Sequence, residues 1–285
     1  MAGKIIDGPS LAKTIQESIR ERVSKRLAED RRQPGLTVVL VGEDPASEAY
    51  VRGKERSCSR VGILSTTVRL PVSSSEDEVL GEVARLNNDP EVHGILVQLP
   101  LPAHMNVEKV VAAISPLKDV DAFHPENLGL LFRDTPRFIP CTPAGIMDVL
   151  GQTGITLEGL HAVVIGRSLI VGKPLSLLLL KEHMTVTVCH SRTRNLPDLI
   201  RSADVIVAAV GRLRFVKGDW VKPGAIVIDV GMNVDEEGKL AGDVEFDSAL
   251  LRASFITPVP GGVGRLTVAR LLSNVLAACE LQELE

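Results

Sequence analysis

Aromatic side chains are scarce in this chain: its 285 residues include one tryptophan, one tyrosine and six phenylalanines, 3% of the total. It has no basic run, and aromatic residues do not interleave with basic ones, so nothing in it suggests a nucleic-acid-binding surface. Cysteine is sparse too. Cys58, Cys141, Cys189 and Cys279 stand in no CxxC or CxxxC spacing, which implies neither a disulfide framework nor a zinc site and fits a reduced cytoplasm. No apolar stretch reaches about 18 residues, and Met1-Ala2-Gly3-Lys4 lacks a signal-peptide core, so no membrane partner is expected. What is left is the composition of an ordinary soluble globular protein, 45% hydrophobic and 24% charged with a net charge of −4. The length suits one or two domains with cores of their own.

The lone tyrosine lies in the stretch that organises the rest. A strand-like run, Leu36–Val41, leads through the turn Gly42-Glu43-Asp44-Pro45 to a helix for which Ser47 is the expected N-cap. Tyr50 and Lys54 are four residues apart on that helix, so they share a face. An aromatic platform beside an amine suits a flat substrate that gains or loses a proton; the plainer reading is an exposed Tyr-Lys pair. Two more side chains look placed. Gln98 ends the apolar strand Gly94–Val97, where its carbonyl can accept a hydrogen bond from the Lys54 ammonium. Asp121 lies in a turn-rich stretch and can accept paired N–H bonds from an aminopyrimidinone edge. A free lysine has a pKa of about 10.4, too high for a proton shuttle at neutral pH, and burial would lower it. A structural amide at a strand end and an acidic turn cap are the competing readings. His124 reads as part of a packed turn, Cys58 as a small buried side chain, and His93, His104, His161 and His183 have no metal-like spacing.

Helical and strand patterns alternate along the chain, the signature of parallel βαβ units. Leu11, Ile15, Ile19, Val23 and Leu27 mark a first amphipathic helix, and Ser75 opens a later one. Residues 116–143 read as a linker and cleft lining, and at its end Thr142-Pro143 is the N-cap and N1 pair of another helix. Four further strands follow: His161–Ile165, Thr185–Cys189, Val205–Ala209 and Ala225–Val230. A last helix runs from about Leu266 to Leu281. The expected fold is α/β in two lobes with a cleft between them, the second a Rossmann-like doubly wound parallel sheet. The boundaries are residues 1–121 for the first domain, 122–139 for a linker lining the cleft, 140–265 for the second domain and 266–285 for a C-terminal helix.

The first strand of the second lobe runs into Gly166-Arg167-Ser168-Leu169-Ile170-Val171-Gly172-Lys173-Pro174 and then an apolar helix. This is a strand, a glycine-bearing turn and a helix N-terminus, suited to a pyrophosphate, although the spacing is not GxGxxG and a tight structural turn would look the same. After the next strand, where NAD-binding folds place a carboxylate, the chain reads His190-Ser191-Arg192-Thr193. Hydroxyls and a cation there, with Arg167 nearby, favour the 2′-phosphate of NADP. Loops at Gly211 and at Gly231-Met232 follow later strands and flank the nicotinamide and ribose in this reading. Pro258–Gly264 is a loop where backbone can approach a ligand closely.

Taken together, these motifs resemble the bifunctional methylenetetrahydrofolate dehydrogenase/methenyltetrahydrofolate cyclohydrolase family. The resemblance rests on residues 41–47 with Tyr50 and Lys54, on 94–102, 118–121, 140–145, 166–174 and 260–264, in family order across nearly the whole chain. It implies NADP-dependent oxidation of 5,10-methylenetetrahydrofolate, then hydrolysis of the methenyl product to 10-formyltetrahydrofolate. It also implies a catalytic group of Lys54, Gln98, Tyr50 and Asp121, in which Lys54 handles protons, Gln98 positions it, Tyr50 stacks on the folate and Asp121 grips the pterin. Val97, Leu99, Pro258, Gly261 and Gly262 join these as substrate-binding residues. Gly166, Arg167, Ser168, Ser191, Arg192, Gly211 and Met232 are the cofactor-binding set. The family assembles as a homodimer through the cofactor lobe, with the last helix packing back on the first domain. Two positions depart from the family pattern: Ala122 replaces a usual glycine, and Arg265-Leu266 a usual Pro-Met. If position 122 needs a positive φ, alanine strains the pterin-binding turn. Short-chain dehydrogenases share the Tyr-x-x-x-Lys pair but carry the glycine loop before it, the reverse of the order here. A two-lobe dehydrogenase of another small substrate and a non-catalytic nucleotide-binding module are the remaining alternatives.

Overall fold

The computed structural model describes residues 3–284. In chain order they form β1 (Lys4–Ile5), α1 (Gly8–Ala28), β2 (Gly35–Val41), α2 (Pro45–Val61), β3 (Leu64–Leu70), α3 (Glu76–Asn87), β4 (Gly94–Val97), α4 (Val107–Ala113), α5 (Pro125–Phe132) and α6 (Cys141–Gln152). There follow β5 (His161–Ile165), α7 (Gly172–Lys181), β6 (Thr185–Cys189), α8 (Leu196–Ser202), β7 (Val205–Ala208), β8 (Ile226–Asp229), β9 (Asn233–Val234), β10 (Leu240–Ala241), α9 (Phe246–Leu250), β11 (Phe255–Ile256) and α10 (Val263–Gln282). The chain divides into two compact units. One comprises Lys13–Ile139 with Val268–Glu285; the other comprises the chain up to Ala12 with Pro140–Thr267. Among the described residues no helix is long and apolar enough to cross a membrane.

In the unit holding Lys13–Ile139, three parallel strands are ordered β3-β2-β4. Every residue of central strand β2 is buried, as expected of a strand with neighbours on both edges and layers on both faces. On one face Val39 and Val41, with Ile95 and Val97 of β4, pack against Val79, Val83 and Leu86 of α3 and Val110 of α4. Ser75 starts α3 with a full capping box: its hydroxyl accepts the Glu78 N–H while the Glu78 carboxylate accepts the Ser75 N–H.

Four expectations need correction here. Asp44, not Ser47, caps α2: its carboxylate accepts the Ser47 N–H at 2.8 Å, and Pro45, which lacks an N–H, occupies the first turn. On α1, Ile19 and Val23 are buried but Leu27 is 42% exposed. A repeat of four overshoots a helical turn by about 40° each time, so the row drifts off the core face. The inward position falls to Arg26, 3% exposed and ion-paired with Glu283. The stretch read as a linker holds helix α5, whose N-terminus His124 caps by accepting the Glu126 N–H on Nδ1. Finally, α6 starts at Cys141 without a side-chain cap, and the Thr142 hydroxyl instead meets that of Thr267 at 3.0 Å.

In the unit holding Pro140–Thr267, a six-stranded parallel sheet is ordered β1-β11-β8-β7-β5-β6. The chain leaves β5 for β6 on one side and returns to β7 on the other, so the strand order reverses beside β5. In open α/β sheets that reversal marks the ligand crevice at the carboxyl ends of the strands. Strands β5, β7 and β8 are almost wholly buried, their side chains packed with Ile200, Val221, Val244 and Ala249. Strand β1 escaped the pattern reading because it is two residues long; Lys4 and Ile5 pair with Phe255 and Ile256. Of the two positions that depart from the family pattern near the last helix, Arg265 is exposed and Leu266 is fully buried. A Cβ on Gly145 would lie 2.7 Å from that of Leu266, so this leucine packs on α6 where only glycine fits.

Candidate active site

Three of the sequence-chosen side chains come together in the first of these units. Gln98 follows β4 and continues its ladder, its N–H donating to the Val39 carbonyl at 2.9 Å. That places the side chain at the carboxyl end of the sheet. Its Nε2 donates to the Leu99 carbonyl at 2.7 Å, which orients the amide and turns Oε1 toward α2. Lys54 Nζ donates to that oxygen at 2.9 Å. Lys54 is half-buried and Gln98 only 9% exposed, so this hydrogen bond is largely shielded from solvent. Tyr50, one turn earlier on α2, is 46% exposed and leaves ring surface open for stacking. Val97 is buried in β4, and Leu99 is half-buried beside it.

Asp121 completes the group. Burial pushes its carboxyl up to about 6; the Lys54 ammonium pulls the other way, and the neighbouring Asp119 adds a smaller push upward. The pull shows that amine and carboxylate lie within electrostatic reach. Asp119, which no sequence pattern singled out, builds the turn that presents Asp121. It is 1% exposed, and its carboxylate accepts the Phe123 N–H at 3.3 Å, the His124 N–H at 2.8 Å and Asn127 Nδ2 at 2.8 Å. Asn127, fully buried, in turn accepts from Arg137 Nη1 at 2.9 Å.

Ala122 sits in this turn with φ of 61°, in the left-handed region that favours glycine, so the suspected strain is present. Replacing it with glycine relieves about 1–2 kcal/mol of backbone strain. The same change removes a buried methyl worth about 0.8 kcal/mol and adds about 0.4–1 kcal/mol of unfolded-chain entropy. The terms nearly cancel, and the Asp119 hydrogen bonds already hold the turn. Ala122→Gly is therefore expected to shift unfolding free energy by less than about 1 kcal/mol. Denaturant titration checks that value, and the Michaelis constant for methylenetetrahydrofolate, the substrate the resemblance implies, should stay within about threefold in steady-state kinetics.

The dinucleotide candidates occupy the other unit. Gly166 leaves β5 with φ of 130°, and a Cβ there would run into the Ala209 carbonyl. A Cβ on Gly172 would strike the Gly166 carbonyl, so the turn closes on itself as only two glycines allow. Ser168 Oγ accepts the Val171 N–H at 3.1 Å, and α7 opens immediately after. Arg167 and Ser168 are exposed at this turn. Ser191 and Arg192 are exposed after β6, in a turn shaped by the His190 N–H donating to Thr193 Oγ1 at 2.8 Å. Among the described residues neither Arg167 nor Arg192 has an ion-pair partner, so both guanidinium groups remain available to an anion. Gly211 has φ of 62° with open space where a Cβ would stand, and Met232 is 51% exposed. Pro258, Gly261 and Gly262 lie after β11, in this unit rather than with Lys54. The tight cradle, the helix N-terminus and the unpaired cations fit a dinucleotide carrying a 2′-phosphate. Among the described residues no group of three or more His, Cys, Asp or Glu side chains is arranged to hold a metal.

Comparison with known proteins gives matching results along the chain. Residues 6–121 match the family model for the tetrahydrofolate dehydrogenase/cyclohydrolase catalytic domain, and residues 140–283 match that for the same family's NAD(P)-binding domain. The Bifunctional protein FolD of Pelobacter propionicus is 54% identical, the match covering 97% of each chain. The structure of the bifunctional FolD of Campylobacter jejuni superposes with a TM-score of 0.96 at 42% identity, covering 99% of this chain and all of that one. The FolD of Trypanosoma brucei, solved in complex with NADP cofactor and an inhibitor, gives 0.95 at 39% identity over 99% of both chains.

Proposed function

Because the chain belongs to the tetrahydrofolate dehydrogenase/cyclohydrolase family, we propose that Lys54, Gln98, Tyr50 and Asp121 are the working residues of a bifunctional one-carbon enzyme. It oxidises 5,10-methylenetetrahydrofolate with NADP and hydrolyses the 5,10-methenyl product to 10-formyltetrahydrofolate. The observation that carries the assignment is the Lys54–Gln98 hydrogen bond with Asp121 in electrostatic reach of the amine. Tyr50 stacks on the flat folate, and the Asp121 carboxylate accepts N–H bonds from its aminopyrimidinone edge, with Val97 and Leu99 beside it. In the hydrolytic step water adds to the methenyl carbon and loses one of its protons to solvent; as one carbon–nitrogen bond breaks and the formyl C=O forms, Lys54 carries the remaining hydroxyl proton to the departing nitrogen. Gln98 holds the amine in line for that transfer. Pro258, Gly261 and Gly262 are assigned to substrate as well.

Gly166, Arg167 and Ser168 bind the pyrophosphate, Ser191 and Arg192 the 2′-phosphate, and Gly211 and Met232 the nicotinamide side. When bound, NADP takes up the hydride leaving the methylene carbon. The test is one spectrophotometric assay with two substrates. NADPH should appear with methylenetetrahydrofolate, and added methenyltetrahydrofolate should disappear; NAD run in parallel should support at most a tenth of the NADP rate. Absence of both signals would sink the reading.

The assembly is a homodimer formed through the unit that carries the dinucleotide loops, and sedimentation equilibrium should return about twice the 30.6 kDa chain mass. The compartment is the cytoplasm, a reading supported by four cysteines that are all buried.

A further inference from the structure

Two buried carboxylates, far from Lys54 in the chain and unused by the chemistry above, tie together the loops at the carboxyl ends of β7, β8 and β11. Asp243 is fully buried. Its Oδ2 accepts the N–H groups of Val210 at 2.6 Å and Gly211 at 2.9 Å. Its Oδ1 accepts that of Arg212 at 2.8 Å and Asn233 Nδ2 at 2.9 Å. Three consecutive backbone N–H groups thus turn inward onto one side chain. Asp229, 3% exposed, holds Asp243 in place: its Oδ1 accepts the N–H groups of Asp243 at 2.8 Å and Gly231 at 2.9 Å, and its Oδ2 accepts that of Val244 at 2.9 Å. The Asp229 N–H donates to Thr257 Oγ1 at 2.8 Å, which extends the chain of bonds to the residue before Pro258.

The glycines of these loops are explained by the carboxylates. A Cβ on Gly231 would collide with the Asp243 backbone and carboxylate, and a Cβ on Gly242 with the carboxylate of Asp229. Because the Val210, Gly211 and Arg212 N–H groups are already committed, this loop meets a ligand with its outer edge. That is where Gly211, with φ of 62°, leaves open space. The strand order puts these loops on the side of β5 opposite β6. They are therefore on the nicotinamide side if the loop after β6 takes the adenosine end.

We infer that Asp243, braced by Asp229, is a positioning residue for the dinucleotide: it folds the 210–212 and 231–233 loops into the surface on which the nicotinamide half rests. The inference rests on the NADP reading given above. A carboxylate satisfied by four donors in a dry site fixes the loop far better than an amide, which must turn an N–H₂ toward one of those donors. Loop misplacement on the ångström scale is known to cost up to about a hundredfold in a binding or reacting geometry.

The test is the dissociation constant for NADP without folate, measured by calorimetry on wild type, Asp243→Asn and Asn233→Ala. Hydrolysis of methenyltetrahydrofolate, which needs no dinucleotide, counts the folded protein in each sample. Asp243→Asn should raise the constant about tenfold or more per mole of hydrolytically competent enzyme. Asn233→Ala, which removes one of the four donors, should raise it about threefold. If Asp243→Asn does not fold, the Asn233→Ala result decides: a raised constant supports the inference and an unchanged one overturns it. Constants within twofold of wild type for both variants would also overturn it. Failure of the wild type to bind NADP would instead strike the reading on which the inference stands.

Discussion

Lys54→Ala is expected to lower methenyltetrahydrofolate hydrolysis by about 10²–10⁴-fold, the range typical of a lost general acid–base group. Of the side chains gathered there, Gln98 cannot titrate and Tyr50 is half-exposed one turn away, and the proposed assignment gives Asp121 to the substrate as an acceptor. In the proposed assignment the amine carries the proton, while Asp121, which also titrates near neutrality, is taken up by the N–H groups of the substrate. Lys54→Arg should fail nearly as badly, because a guanidinium does not release its proton near neutral pH. Gln98→Ala should fall between these and wild type, since it leaves the amine present but free to swing. Loss of methenyl absorbance in stopped-flow mixing measures all three. Hydrolysis at the wild-type rate in Lys54→Ala would refute the lysine as proton carrier, whatever the other variants do. The NADP dissociation constant of the same variant should stay near the wild-type value, because the dinucleotide loops belong to the other unit.

Much of this site can be read before any coordinates, because it rests on rules that operate locally. A spacing of four puts Tyr50 and Lys54 on one helix face, and a glutamine at the end of an apolar strand stands at the carboxyl edge of a parallel sheet. The β5–α7 turn is legible for the same reason: its glycines, its helix and its strand are contiguous in the chain. What escapes is set by tertiary context. The cap of α2 is an exception: Ser47 and Asp44 are both good caps, and Pro45, suited to the first helical position, points to Asp44 from the sequence itself. The environment of Asp121 depends on Asp119 turning inward to gather Phe123, His124 and Asn127, and no periodicity announces that. Asp229 and Asp243 escape for a related reason. Fourteen positions apart, they meet because a short hairpin, β9–β10, folds the chain back, and each is satisfied almost wholly by backbone N–H groups that carry no side-chain signature. The departures from family pattern divide the same way. A backbone rule foresaw the strain at Ala122, whereas the packing of Leu266 against Gly145 needed coordinates.

Asp121→Asn should weaken folate binding while making the protein more stable, a pairing that separates a binding carboxylate from a structural one. The carboxyl group titrates at about 6 in the folded protein, above its ordinary value of 3.8, chiefly because burial disfavours the charge. Between those two values the folded state holds a proton that the unfolded chain has released. Folding stability therefore falls as pH rises through that window, and the full cost of ionisation is present above about pH 6. Asparagine carries no such cost. Allowing for the part of the side chain open to water, the substitution should stabilise the protein at pH 7 by roughly 1–3 kcal/mol, read as a higher denaturant midpoint. The same change removes an ionised acceptor from the aminopyrimidinone edge. That costs about 1.5–3 kcal/mol, or roughly a ten- to hundredfold rise in the dissociation constant for methylenetetrahydrofolate. The wild type should show this loss on its own as pH drops through about 6, where the carboxylate takes up a proton, and Asp121→Asn should show no such inflection. Lys54→Met should move the wild-type inflection upward, because the ammonium is what holds the Asp121 value down. Folate affinity that is flat across pH 5 to 8 in the wild type, or an asparagine variant that is less stable and binds normally, would remove Asp121 from the site. An inflection that stays put in Lys54→Met would separate the two groups that the whole mechanism requires to sit together.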